Sequence, residues 1–402
     1  FKDPCNIRSP QSHAGVVHSS NLCTEITLNT KATTYNKNSR SVKQYGETAV
    51  CNLGSINLAK HIKTNKDGTK DIDYDKLKNT IMIGSRMLDN VININFYPTE
   101  EAKRSNTTHR PVGMGSMGWH DMFYELGIQY DSERAVKFSG QLYEFISYHT
   151  IAASNQLAKE RGCYDSYEGS SWSNGELPMD TYRTLMSTRS ERAIGSTRGD
   201  LNWDELKSRV AKHGMRNSNT MAVAPTATIS SIVGCSPSTE PYYSVLYVYS
   251  TLSGEFTMVN EHFVNDMKKL GLWGQELIDE VKRTDGDVEQ IQQFDIPQEI
   301  KDKYKTSFQQ DQFKMIEAAA ARQRWIDQSQ SLNLYNNQTS LKYLNDLYLH
   351  AWNHGLKTTY YLRNKAASTI EKSTVSNSTT PEPENVTACS LNSPPGECES
   401  CQ

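Results

Sequence analysis

Two long stretches of this sequence repeat apolar residues at the spacing of one helical face, and short apolar runs closed by turn residues lie between and beyond them. That pattern reads as helices interleaved with short buried strands. Over 73–93, Leu77, Ile81, Leu88 and Val91 fall at i, i+4, i+11 and i+14, with Asp73 or Asp75 as cap. Over 131–162, Phe138, Leu142, Phe145, Ile146, Ala153 and Leu157 share one side, and Gly162 stops the helix. Segments 317–325 and 341–352 predict two more helices, the second closed by Gly355. Strand candidates are 48–58, which carries Cys51, the short run 221–224 broken by Pro225, and 357–363. Residues 326–334 alternate polar and apolar, 273–297 read as a surface helix and loop, and 172–212 are mixed with a short helix over 203–210. A length of 402 residues accommodates two or three ordinary domains or one large α/β barrel.

Charge excludes one class of partner. The 43 Lys and Arg are interspersed with 46 Asp and Glu, and a net charge of −3 leaves no basic footprint for nucleic acid. No run of 18 apolar residues and no signal-peptide pattern occurs, which predicts a soluble, cytoplasmic protein. Phe1 stands where a start Met is usual, predicting a fragment or a processed chain. Eight cysteines are too sparse for a disulfide scaffold, so a reducing compartment is expected, with any disulfide transient and catalytic. Zinc wants two ligand pairs, and the single Cys-x-x-Cys, Cys398 to Cys401, predicts no metal site.

Chemistry concentrates around Cys23. Asn21 precedes it by two residues and Glu25 follows it by two; in an extended loop such residues point the same way and converge on one small molecule. A lone thiol is usually inert packing, but a carboxylate so close argues against an apolar core. At 225–229 a proline breaks a short strand and hydroxyl residues open a helix. Its free N–H groups, with Thr226, Thr228 and Ser230, suit a phosphate; ordinary capping accounts for the same residues. Gly113, Gly115 and Gly118 match a dinucleotide fingerprint only formally, because a helical segment and Pro111 precede them where that fold requires a strand. Tyr242, Tyr243, Tyr247 and Tyr249 read as packing, and the neighbours Tyr360 and Tyr361 as strand residues facing opposite ways. Residues 371–402 contain no Phe, Tyr or Trp and four of the 13 prolines, which predicts a flexible tail with an exchange-competent dithiol at its tip.

The run Asn21-Leu-Cys-Thr-Glu-Ile resembles the finger-loop motif in the large, catalytic subunit of class I ribonucleotide reductases. Other stretches follow in that family's order. Arg110-Pro-Val-Gly-Met-Gly is similar to a barrel strand, Pro225-Thr-Ala-Thr-Ile-Ser with Gly234 and Glu240-Pro241 to the substrate-diphosphate loop, and Tyr360-Tyr361 and the Cys398/Cys401 tail to its radical and redox elements. The resemblance implies the second half of a ten-stranded α/β barrel. The finger loop would lie in 1–45, the barrel half with phosphate loop and Tyr-Tyr strand in 46–370, and the flexible redox tail in 371–402.

The resemblance also implies roles. Cys23, oxidised through Tyr361 and then Tyr360, would take the ribose 3′ hydrogen of a diphosphate held by Ser20, Pro225, Thr226, Ala227, Thr228 and Ile229. Glu25 would be the base toward the 3′ hydroxyl, and Asn21 would hold the sugar. Cys51 and a partner thiol absent from this sequence would supply two electrons, and Cys398 with Cys401 would reset that pair before being reduced by thioredoxin or glutaredoxin. No cofactor is expected on the chain itself; the radical would come from a metal-containing small subunit. The family's regulatory nucleotide domain and first barrel half have no counterpart here, implying a split or truncated large subunit that needs its N-terminal portion and is inactive alone. The alternative is an inactive docking module for the small subunit, against which the intact motif residues speak.

Overall fold

In a computed structural model describing residues 1–189, 199–251, 254–338 and 340–364, five segments that build the centre run side by side in one direction. Asn52–Asn57 pairs in parallel with Val112–Met117, from Asn52 opposite Val112 to Asn57 opposite Met117. Val112 and Met114 donate their N–H groups to the Asn219 and Thr220 carbonyls, and Val223 donates to Ser329. Single parallel bridges join Met114 to Met221 and Val223 to Gln330. Leu334–Asn336 then pairs in parallel with Leu362–Asn364. The outcome is a row of five parallel segments, 52–57, 112–117, 219–223, 328–336 and 358–364, which does not close on itself among the described residues.

Parallel neighbours cannot be joined by a tight hairpin, so each connection carries helix. The links contain, in order, Tyr74–Ile94 with Glu100–His109, Glu133–Arg161, Gln312–Gln323 and Leu341–Asn353. Their N-termini are capped by the side chains of Asp73, Thr99, Ser132, Asp311 and Ser340, each accepting a backbone N–H that the helix leaves unpaired. Leu77, Ile81 and Leu88 are buried as their spacing predicts, but Ile92 rather than Val91 completes the buried stripe. Among the described residues no helix is long and apolar enough to cross a membrane.

The glycines of 113–118 are packing devices. A Cβ on Gly113 would lie 2.5 Å from Leu53 Cδ2, 2.9 Å from Ala222 Cβ and 3.2 Å from Cys51 Sγ, and one on Gly115 would lie 2.7 Å from the Ala222 carbonyl oxygen. Both sit inside the strand, and only Gly118, at φ 72°, makes the turn into the helix Trp119–Leu126. A phosphate turn needs its glycines after the strand, so the dinucleotide pattern is coincidental.

Parts of the chain depart from sequence expectation. The helix Pro178–Met186, the hairpin of Leu246–Thr251 with Gly254–Val259 and the helix Glu261–Lys269 were not legible. The stretch 273–297 is more than a surface element. Leu277 and Val281 of the helix Gln275–Arg283 pack with Phe263, Met267, Ile291 and Tyr304 in a second core. Acidic and glutamine residues cover its outer side and hide the apolar pair. Residues 1–364 fall in one compact unit, with the Cys23 loop hydrogen-bonded into the strand row. The tail, with Cys398 and Cys401, lies outside the described residues.

A buried polar knot holds the row together. The Asp327 carboxylate accepts from Thr220 N–H at 2.7 Å, Thr220 Oγ1 at 2.8 Å and Met221 N–H at 3.1 Å. Lys357, also buried, donates to the Asp327 carbonyl, so one residue ties three segments of the row.

Candidate active site

Cys23 sits in a turn rather than an extended loop. Thr24 N–H donates to the Asn21 carbonyl at 3.2 Å, and Thr24 takes a left-handed φ of 69°, uncommon for a β-branched residue. The strand row compensates the strain by gripping the turn. Ser331 Oγ donates to the Cys23 carbonyl, Thr358 Oγ1 to the Thr24 carbonyl at 2.9 Å, and Ser329 N–H to the Glu25 carbonyl at 3.0 Å. Two neighbouring parallel segments therefore decide where the thiol stands.

The turn corrects the expected convergence of Asn21, Cys23 and Glu25, because period-two geometry holds only in extended backbone. Asn21 Oδ1 accepts the Ile26 N–H at 3.1 Å, and Asn21 lines a neighbouring cleft with Ser20, Glu47 and Thr48. Glu25 is 3% exposed, with a carboxyl oxygen 3.1 Å from the same Ser331 Oγ. Of the three, Cys23 alone lines the main cavity.

Cys23 Sγ lies 3.4 Å from the Tyr360 hydroxyl. The rings of Tyr360 and Tyr361 are stacked obliquely, 3.9 Å between centroids and 33° between planes, not turned to opposite faces. The regular strand starts only at Leu362, so strict alternation does not govern the pair. Their backbone is nonetheless anchored: Tyr360 N–H donates to the Leu332 carbonyl at 2.7 Å, and Leu334 N–H to the Tyr361 carbonyl at 2.8 Å. Burial first, then hydrogen bonding with Cys23 and Tyr361, pushes the Tyr360 hydroxyl above the ordinary phenol range. Tyr361 is 37% exposed, which completes a contact series from surface to thiol.

Both tyrosines and Cys23 line a cavity of about 740 Å³ that is also walled by Pro225, Thr226, Ala227, Thr228 and Ile229. Thr226 adopts φ 57° and opens the helix Ala227–Val233, whose first bond runs from Ser230 N–H to the Thr226 carbonyl. The N–H groups of Ala227, Thr228 and Ile229 come before that bond and have no partner within the helix. The Thr226 hydroxyl oxygen accepts Ser238 N–H at 2.7 Å, so it is used outside the helix and does not cap Ala227–Val233.

Cys51 stands at the start of its strand, whose residues Leu53, Gly54 and Ser55 line the cavity while Cys51 does not. Its Sγ accepts from the Gln328 amide at 3.3 Å, and burial pushes the thiol up to about 12. Among the described residues no cluster of His, Cys, Asp or Glu is placed to hold a metal ion.

Residues 1–362 match the family model described as ribonucleotide reductase, barrel domain. The chain belongs to that family. It is 50% identical over 374 residues to the ribonucleoside-diphosphate reductase subunit alpha of Chlamydia pneumoniae, an alignment covering 93% of this chain and 34% of that protein. It is 38% identical over 376 residues to the ribonucleoside-diphosphate reductase large subunit of Plasmodium falciparum, covering 93% and 43%. With the large subunit of Arabidopsis thaliana it shares 36% identity over 391 residues, covering 93% and 45%. The chain thus spans between a third and a half of the length of these relatives.

Within this barrel-domain site, Glu240 belongs to the Glu240-Pro241 run, and a charged residue gives no local signal of its burial. It is 5% exposed, lines the cavity, and accepts from Tyr335 Oη at 2.9 Å and Asn333 N–H at 3.3 Å. Burial pushes its carboxyl up to about 7, against the opposing pull of Tyr335, Asn333, Arg363 and Arg322. The folded chain therefore holds this proton more tightly than the unfolded chain, whose carboxyl titrates near 4.5. Stability from this group is complete below about 4.5 and is lost as pH rises through about 7. Glu240→Gln, which cannot ionise, is expected to gain about 3 kcal/mol relative to the parent between pH 4.5 and 8. Denaturant titrations across that range check it, and parallel pH curves for the two proteins would exclude it.

Proposed function

We propose that this chain is a catalytic portion of a ribonucleoside-diphosphate reductase, turning ribonucleoside diphosphates into deoxyribonucleoside diphosphates by thiyl-radical chemistry for DNA synthesis. The observation that carries this reading is the unbroken series Tyr361, Tyr360, Cys23, with 3.9 Å between rings and 3.4 Å from hydroxyl to sulfur, ending on the cavity walled by 225–229.

Oxidation arriving at Tyr361 passes to Tyr360, each phenol releasing its proton as it loses an electron. Tyr360 then takes the hydrogen of Cys23 across their contact, and the sulfur radical removes the 3′ hydrogen of the ribose. The diphosphate is held by the free N–H groups at Ala227, Thr228 and Ile229 together with Thr226 and Pro225, with Ser20 as a further substrate contact. Glu25, oriented by Ser331, takes the 3′ hydroxyl proton, and Asn21 hydrogen-bonds the sugar. Asn21 and Ser20 meet the substrate from the neighbouring cleft that they line. After the 2′ hydroxyl leaves as water, Cys51 and a second thiol give up two electrons and become a disulfide. Cys398 and Cys401 reduce it by exchange, and thioredoxin or glutaredoxin reduces them.

The chain's share of its relatives' length and its open row of five parallel segments support a barrel half that the remaining portion of the large subunit completes to ten strands. That portion supplies the second thiol, and a metal-containing small subunit supplies the oxidising equivalent in the cytoplasm. The test is deoxynucleotide formation from a ribonucleoside diphosphate with small subunit and dithiol reductant, with and without the remaining portion of the large subunit. Turnover in the complemented mixture alone is expected. Its absence there, with the partners shown to bind, overturns the reading.

A further inference from the structure

Gln328 lies at the meeting of three parallel segments and is fully buried. Its Nε2 donates to the Val112 carbonyl at 3.2 Å and to Cys51 Sγ at 3.3 Å, while its backbone N–H donates to the Met221 carbonyl at 3.2 Å. The orientation of the amide follows from its surroundings. A carbonyl oxygen only accepts, so Val112 demands the nitrogen, and the sulfur beside it necessarily receives the second hydrogen. The amide Oε1 is left buried without a hydrogen-bond partner, a cost the fold tolerates. On another side the sulfur rests against Gly113, where a Cβ would stand only 3.2 Å away.

We propose that Gln328 is a positioning residue for Cys51, fixing the sulfur between its amide and Gly113 and favouring the thiolate form that does thiol–disulfide chemistry. This rests on the reading of Cys51 as a reducing thiol. A bare buried sulfur resists ionisation, and the donated hydrogen is the device that opposes this. The charged groups facing Cys51 are the carboxylates of Asp327, from the segment 326–331, and Glu25, from the Cys23 loop; both keep the proton on sulfur, and the Gln328 amide works against them.

The experiment uses the chain as it stands, with iodoacetamide as probe and mass spectrometry reading alkylation at Cys51. Gln328→Met keeps the volume and removes both donors. It is expected to slow Cys51 alkylation at pH 8 by roughly threefold to tenfold, since the thiolate loses a hydrogen bond. A side chain that merely fills space would leave the rate unchanged or raise it by loosening the packing, and either result overturns the proposal. Should Gln328→Met fail to fold, selective 15N labelling of glutamine in the parent chain and in Cys51→Ala decides. The Gln328 side-chain amide protons move upfield when the sulfur is removed; unmoved resonances overturn the proposal. Turnover is read separately. A Cys51→Ser enzyme that keeps turnover removes the reading of Cys51 as a reductant, whereas lost turnover with unaltered alkylation in Gln328→Met removes only the role of Gln328.

Discussion

Cys23→Ser and Tyr360→Phe are each expected to lower turnover of the complemented enzyme by a factor on the order of 10³ or more, while leaving substrate binding and the fold nearly untouched. The two substitutions break the same contact from opposite ends. Serine lacks a hydrogen weak enough for a phenoxyl radical to remove, and phenylalanine lacks the hydroxyl that stands 3.4 Å from the sulfur. Neither change should unfold the chain. Tyr360→Phe keeps the ring that packs 3.9 Å from Tyr361, and Cys23→Ser keeps the backbone carbonyl that Ser331 holds. The stability lost with one hydrogen bond is about 1 kcal/mol. Steady-state turnover, nucleotide binding by calorimetry and thermal melting separate the terms. A Tyr360→Phe enzyme with near-parent turnover would rule out the tyrosine route to Cys23, whatever its stability.

Asp327→Ala is expected to cost about 3–5 kcal/mol, the largest loss of stability at a single position of the strand row. Three donors converge on that carboxylate, two of them backbone N–H groups of the 219–223 segment. Removing it strands those groups in the core and takes away a negative charge that helps the buried Lys357 amine hold its proton. Asp327→Asn keeps an acceptor and should lose roughly half as much. Equilibrium unfolding in urea measures both, and a loss below about 1 kcal/mol for alanine would show that water or neighbouring groups replace the carboxylate. Because the same segment supplies Gln328, Ser329 and Ser331, loosening it is also expected to misplace the Cys23 turn.

These predictions divide by what made them possible. Periodicity exposed the long helices because a helix on a sheet must bury one stripe, and Leu77, Ile81 and Leu88 repeat at that interval. The caps were equally local: Asp73 serves the helix that it precedes. The thiols, the hydroxyl-rich run at 225–229 and the tyrosine pair could be marked because their chemistry belongs to side chains that composition alone reveals. Local rules failed where backbone geometry had to be guessed. The 21–24 turn replaced an extended loop, and the tyrosines stacked instead of alternating, since hydrogen bonds from Ser331, Thr358 and Leu334 outweigh local preference.

Residues near one another in the chain thus reveal which side chains are chemically capable, which long periodic stretches are helical and which family the motifs resemble, whereas the helices Pro178–Met186 and Glu261–Lys269 stayed hidden. Only the tertiary structure decided that Cys23 meets Tyr360 across 337 positions and that Gln328 meets Cys51 across 277. It also decided that Glu240 is enclosed beside the cavity. Burial and long-range donors are properties of the packed row of parallel segments, and no window of the sequence contains them.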